Sequence, residues 1–483
     1  MTFKRNKHWQ RWLAVAIGTI FLMVFTYSGM AQDDTTTDAA AVETVVEEVA
    51  LTAEEVQTNL DLTWVLLAGF LVFFMQAGFA MLEGGFIGAR GAVNSMAENF
   101  MDAALTGLVF FIIGYGIAYA DNSGSGFFGM PVLALGGIDG TGAGDGAELI
   151  GFFFQFAFAG AAGTIATGAM AERTSYWGKL IYTVAVALFI YPIVVFWTWG
   201  GGWLAQLGFL DFAGSTIVHM TGGIVALIGA FIVGPRVGRV FGKPPAPSNL
   251  MLATLGAFIL WFGWYGFNVG STLAASDMNA MGLVAVNTTL AACAGTMSAL
   301  FLVYFRTGKW DLSFILNGSL AGLVSVTAGC AFVSPMASII IGLIGGVVVV
   351  ISVNVIEALK IDDAAGAFSV HGACGAWGTL AIGLFGLPAL TGGTAGLFTG
   401  GGFGLLATQG IGVVAVAIWV SAVSFAMFGA VKAAGLLRMP AAADSVGIDV
   451  YEHGVTVMPD VLPMPGEAIM GSEARAAAPA IGD

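Results

Sequence analysis

Apolar runs of close to 20 residues recur down this chain, each broken by a short polar stretch. A run of that length spans a hydrocarbon core as an α-helix. After an N-terminal run, eleven such segments fall at 62–82, 96–120, 150–171, 177–198, 212–234, 249–272, 280–305, 312–332, 335–356, 366–387 and 405–432. The pattern predicts an all-α polytopic membrane protein with eleven transmembrane helices. The first run is of another kind. Lys4, Arg5, Lys7 and Arg11 precede apolar Trp12 to Val24, and Gly29-Met30-Ala31 follows. Residues 1–31 therefore read as a signal peptide. Residues 32–60, acidic and without Lys or Arg, read as a partly disordered extracytoplasmic leader. The membrane domain is expected over 61–435 and a tail over 436–483.

Charge supplies the orientation. Beyond the signal, Lys and Arg mark alternate loops: Arg90, then Arg173 and Lys179, then Arg236, Arg239 and Lys243, then Arg306 and Lys309, then Lys360 lie between segments, and Lys432, Arg438 and Arg475 end or follow segment eleven. The other loops carry Asp121, Asp139, Asp145, Glu148, Asp211 and Asp277. The positive-inside rule puts the mature N-terminus outside a cell membrane and the C-terminus in the cytoplasm.

Within this frame a thirteen-residue pattern occurs twice. Asp211 to Gly223 and Asp363 to Gly375 both read D-x-A-G-x-x-x-V-H-x-x-x-G. One copy opens segment five and the other opens segment ten, on opposite sides of the membrane. Segments one to five (about 62–234) and six to ten (about 249–387) then form a 5+5 inverted repeat, a recurring transporter design with its site near the midplane. Segment eleven (405–432) stands outside it as an extra C-terminal helix.

Composition agrees. Charged residues are only 10% of the chain and hydrophobic ones 58%, where soluble domains are about a quarter charged. Cys293, Cys330 and Cys374 all lie in apolar runs and read as packing residues without a disulfide. No nucleophile–base–acid set, metal-ligand spacing or cofactor motif is present, so an enzyme is not expected and no cofactor is called for. No basic patch is available for nucleic acid.

The chain has four histidines, and the two copies of the pattern hold His219 and His371 at the same position. Ionisable rings inside a membrane usually face a cavity or a partner. Paired imidazoles can share one proton, one nitrogen donating and the other accepting. The bland alternative is two separate packing histidines, each bonded to a backbone carbonyl. Asp211 and Asp363 lie eight residues earlier, about 12 Å along a helix, which makes each an N-cap candidate; Asp211 could also put a negative field at the outer mouth. Phe152, Phe153, Phe154, Phe156 and Phe158 crowd the outer start of segment three around Gln155, with Trp197 and Trp199 ending segment four. Such rings are commonly interfacial anchors, but clustered at a mouth their faces can also hold a cation.

The stretch Asp211 to Gly223 resembles the signature of the ammonium transporter family (Amt/Mep/Rh), and its Amt branch more closely. Ala171-Glu172-Arg173, Trp199 to Gly202, Gly263-Trp264-Tyr265-Gly266-Phe267-Asn268, Gly270-Ser271, Val370 to Gly375, Met75 to Leu82 and the tail motif Gly447 to Gly454 are also similar. The resemblance implies a homotrimer with one pore per subunit. It implies that Trp199, Phe158 and Ser271 recruit ammonium, with Phe154 beside them. Phe158 and Phe267 would be stacked gate rings, His219 and His371 the pore histidines, and Asp211 the structural acid below the recruitment site. Ammonium would lose its proton and cross as ammonia, with or without the proton following. A PII-type nitrogen regulator is the expected partner of the cytoplasmic tail. The rival readings are an ammonium sensor signalling through that tail and a neutral-gas channel. Ala364 and Gly366 depart from the family, which often has Pro and an acidic residue there.

Overall fold

The computed structural model of the protein describes residues 51–122 and 124–457. The expected signal peptide, most of the leader and the end of the tail lie outside the described residues. Eleven long helices follow one another: α1 (Ala53–Phe86), α2 (Ala89–Ala118), α3 (Asp145–Met170), α4 (Tyr176–Trp197), α5 (Ser215–Val233), α6 (Leu250–Thr272), α7 (Met278–Thr307), α8 (Leu312–Thr327), α9 (Pro335–Ala358), α10 (Phe368–Phe385) and α11 (Gly404–Ala433). Ten are long and apolar enough to cross a membrane, and α8 is a shorter apolar helix. No β-strand forms among the described residues, only two isolated bridges. In lipid every backbone N–H and C=O must be satisfied within the protein, which selects helices over open sheets.

Starts are set by caps legible in the sequence. Ser175, Asn249, Asp277, Asp311 and Ser334 each accept a backbone N–H two or three residues on, satisfying donors that have no partner within the helix. Helix α1 begins earlier than its apolar run. Residues 53–60, expected in the leader, form its first two turns; Ala53, Glu54 and Glu55 favour a helix N-terminus. Lys179, counted with the loop cations although the 177–198 segment already spans it, lies inside α4, fully buried.

The repeat is visible in the packing. The leading helices of the two halves, α1 and α6, pack along each other. Glycine permits the approach: a Cβ on Gly256 would stand 2.4 Å from the Leu82 nitrogen, and one on Gly266 2.7 Å from the Ala68 carbonyl. Small residues let helices touch at backbone distance where no water drives association. The fifth helices of the halves, α5 and α10, meet through their first turns.

At one end of the bundle the loops after α1, α3, α5 and α9 meet the tail. Arg173 donates to the carbonyls of Ala171, Gly234 and Asp362. Arg236 pairs with Glu172 and Asp362, and Arg239 with Asp362 and Glu357. Asp449 of the tail accepts the N–H groups of Val93 and Asn94 at 3.0 and 2.8 Å, near the start of α2, and His453 bonds Asn94 at 2.9 Å.

Candidate functional site

The two pattern histidines are presented alike. Gly214 (φ 114°) and Gly366 (φ 77°) adopt left-handed backbone just ahead of α5 and α10, a conformation glycine takes at no steric cost. The chain then winds through Ser215–Met220 and Phe368–Ala373 with π-helical bonding, a form that recurs at functional sites. Asp211 accepts four backbone N–H groups, from Gly214, Ser215, Thr216 and Ile217, at 2.7–3.1 Å. Burial pushes its carboxyl up to about 6, against the pull of those four bonds. Asp363 accepts two, from Ala367 and Phe368. The second helix start therefore forms with Ala364 and Gly366 at the two positions where the sequence departs from the resembled family pattern.

Crossing α5 and α10 brings the imidazoles together. The Nδ1 atoms of His219 and His371 lie 3.2 Å apart and the ring centroids 5.2 Å apart. One Nδ1 donates and the other accepts, so the two rings hold opposite tautomers. His219 Nε2 is buried without a partner.

A column of rings leads to this pair. Phe154 meets Phe158 at 4.7 Å, and Phe158 stacks on Phe267 at 4.1 Å with planes 30° apart. Phe267 lies 5.2 Å from His219, and Trp264 stacks on His219 at 4.9 Å. Trp264 is fixed by its indole N–H, which donates to Thr327 Oγ1 at 2.9 Å. Phe158, Phe267, Trp264 and His219 are all at most 1% exposed, so the column is dry.

Above the rings a cavity of about 240 Å³ is walled by Phe154, Phe158, Trp199 and Ser271, with Tyr119, Gln155, Phe212 and Leu273. Trp199 is held by a bond from its indole N–H to the Asp211 carbonyl at 2.8 Å. Ser271 Oγ donates to the Phe267 carbonyl at 2.9 Å, leaving its lone pairs to accept from a solute. Beyond His371, on the other side, a cavity of about 20 Å³ is lined by Phe79, Glu83, Asn317 and His371 among others.

The residues singled out in the sequence thus converge, with two distinctions. Asp211 binds backbone and borders a separate cavity of about 270 Å³ beside Trp199 and Phe212. Of the phenylalanine cluster only Phe154 and Phe158 reach the upper cavity; Phe152, Phe153 and Phe156 pack with Phe70, Phe73, Phe110 and Phe111. Tyr119, Glu83 and Asn317 were not anticipated. Glu83, an ionisable residue in the last turn of an apolar helix, had a signal in the sequence; Tyr119 and Asn317 had none. Asn287, which begins a glycosylation-like triplet, is buried and donates to the Cys330 and Val333 carbonyls.

The sequence model described as Ammonium Transporter Family matches residues 63–458. The chain belongs to this family. Relatives include Ammonium transporter Amt2 of Archaeoglobus fulgidus, 37% identical over 426 residues, covering 84% of this chain and 90% of that one. Ammonium transporter 1 member 1 of Arabidopsis thaliana is 38% identical over 407 residues, 77% of this chain and 80% of its own length. Among solved structures, one titled Sensor Amt Protein superposes with a TM-score of 0.77 at 35% identity, covering 83% of this chain and all of that one. Saccharomyces cerevisiae Mep2 gives 0.72 at 27% identity over 80% of this chain and 88% of its own. The all-helical architecture is therefore that of an ammonium transporter family member.

Proposed function

We propose that this chain transports ammonium across the cell membrane. It takes NH4+ into the cavity beside Trp199, removes its proton, and passes NH3 between Phe158 and Phe267 and along His219 and His371. The observation that carries this reading is the dry ring stack set directly on the paired histidines. Two faces 4.1 Å apart leave no path for a hydrated ion, and an apolar constriction is crossed poorly by water and charge. A desolvated ammonium gains about 2 kcal/mol or more from aromatic faces and can donate to Ser271 Oγ. Potassium donates no hydrogen bond and gains only the first. Moving inward without a counter-charge disfavours the charged form, so the proton passes to water at the outer mouth, NH4+ + H2O → NH3 + H3O+. Of the two imidazole Nε2 atoms, one then accepts from ammonia and the other, carrying its proton, donates to it.

The Trp199 mouth is read as the outer one. The opposite end gathers Arg90, Arg173, Arg236, Arg239 and Arg438 near the tail, consistent with a cytoplasmic face. A signal peptide, a homotrimer, a role in nitrogen uptake and a PII-type regulator at the tail complete the reading. A sensor is the second reading. The likeness to the structure titled Sensor Amt Protein and the docking of Asp449 and His453 on α2 favour it.

The test is ammonium-evoked current in proteoliposomes for wild type, His219→Ala and His371→Ala, with potassium as control and uptake measured in parallel. Ammonium current lost in either variant supports charge movement along the pair. Uptake without current means neutral ammonia conduction. If the wild type shows neither, the transport reading is wrong and the sensor reading takes its place.

A further inference from the structure

Glu83 is a buried carboxyl group that forms no ion pair among the described residues. It is 3% exposed, in the last turn of α1. Its Oε2 accepts from Asn99 Nδ2 at 2.9 Å and from Ser95 Oγ at 3.5 Å. Its Oε1 turns the other way, 3.1 Å from where a Cβ on Gly168 would stand, and accepts no bond from the described residues. Among the described residues no Lys or Arg forms an ion pair with Glu83; the buried cation Lys179 is bonded to Asp102 at 2.6 Å. A buried charge without a partner is costly, and such carboxylates in membrane helices mark ion sites.

The space in front of it has a definite size. The cavity of about 20 Å³ lined by Glu83, His371, Phe79, Asn317, Gly168 and Ala365 has room for about one water-sized molecule. Ammonia and ammonium are of that size. His371 opens on this cavity, so a molecule leaving the histidine pair reaches Glu83 next.

We propose that Glu83 forms an inner cation site, at which ammonium with four N–H donors and one positive charge rests against the carboxylate. The proposal rests on the transport reading above and extends it to the far mouth. Ammonia leaving His371 takes a proton from cytoplasmic water that reaches the cavity, NH3 + H3O+ → NH4+ + H2O. The carboxylate is unchanged in the step and supplies the counter-charge. Asn99 and Ser95 hold Oε2, which leaves Oε1 for the cation. In the reverse direction the same site collects ammonium from the cytoplasm.

The test compares transport from the two faces in right-side-out and inside-out membrane vesicles, for wild type, Glu83→Gln, Glu83→Ala and Glu83→Asp. Loss of one charge-assisted hydrogen bond to a buried carboxylate is worth about tenfold or more. The ammonium concentration that half-saturates transport from the cytoplasmic face should rise about tenfold in the Gln and Ala variants and less in the Asp variant. From the outer face it should change by less than about twofold, which also shows that the pore is folded. An unchanged cytoplasmic value, or an equal rise at both faces, overturns the proposal. So does loss of outer-face transport in both the Gln and Asp variants, which makes Glu83 a packing residue. A wild type that transports from neither face contradicts the transport reading instead.

Discussion

Gly223 of α5 lies against Gly372 of α10, so close that a Cβ on Gly223 would stand 2.2 Å from the Gly372 nitrogen. The equivalent position in the other half, Gly375, is as tightly placed, 2.4 Å from the Ser215 carbonyl. These two glycines are the final letter of the repeated pattern, four residues after each histidine. The pattern therefore encodes a helix crossing as well as a histidine, and the crossing is what sets the 3.2 Å contact between the rings. Gly223→Ala or Gly375→Ala must push α5 and α10 apart. Each should destabilise the protein by about 1–3 kcal/mol, lower its melting temperature in detergent and abolish transport. Gly282→Ala, in α7 with nothing within 4 Å, should be neutral in the same assays.

Phe267 contacts Phe158 on one side and His219 on the other, whereas Phe158 guards only the upper side. Truncating either opens the constriction, and a wetted passage admits ions that hydration otherwise excludes. Phe158→Ala should therefore give a potassium-evoked current while keeping ammonium transport. Phe267→Ala should give the same leak and also lose ammonium selectivity at the histidines, because His219 loses a stacking partner. Potassium and ammonium currents from the two variants, side by side, check both statements. Two variants as potassium-tight as wild type would remove the ring stack from the selectivity argument.

Lys179 and Asp102 form an ion pair with both side chains at 0% exposure. Lys179 Nζ also donates to Thr167 and Tyr182, and Asp102 accepts from Thr164, Thr167 and Thr183. Removing one partner leaves the other charged and unpaired, a cost of about 3–5 kcal/mol. Lys179→Met and Asp102→Leu should each lower folded yield and melting temperature sharply. The double variant, which buries no charge, should recover much of the loss. A double variant no better than the worse single one would show that the surrounding hydroxyls need the pair as their anchor.

How much of this was legible in the sequence follows from which contacts are local. The segments, the repeat and the paired histidines were, because hydropathy and a motif at fixed spacing are properties of one stretch of chain. So was Asp211 as a cap, since its partners lie three to six residues on. Lys179 was misplaced because a basic residue near a segment end reads as a loop marker, and its partner Asp102 lies 77 positions earlier. Glu83 was passed over for a related reason: its meaning comes from facing His371, 288 residues away in sequence, across a space that only the crossing of α1 with the second repeat defines. The helical residues 53–60 were missed because their polar side chains carry no hydropathy signal.

Asp362 ties the loop between the repeats to the start of the second pattern. Its carboxylate accepts the Arg236 backbone N–H, Arg236 Nε and Nη2, and Arg239 Nε at 2.9–3.1 Å. Burial alone would raise its pKa, but the bonds from Arg236 and the nearby Arg173 charge hold the carboxyl well below the usual carboxylate range. A group whose folded pKa lies below its unfolded value of about 3.9 stabilises the fold fully above that value. The stabilisation is lost as pH falls through the depressed folded value. Thermal melting in detergent should therefore show an acid limb setting in below about pH 4. Asp362→Asn should be less stable at neutral pH by about 3–5 kcal/mol, the cost of leaving buried arginines without their partner. Its acid limb should be shallower, because one of the protons that drives the limb has been removed. An Asn variant with wild-type melting at neutral pH would mean that Glu172 and Glu357 alone balance the two arginines.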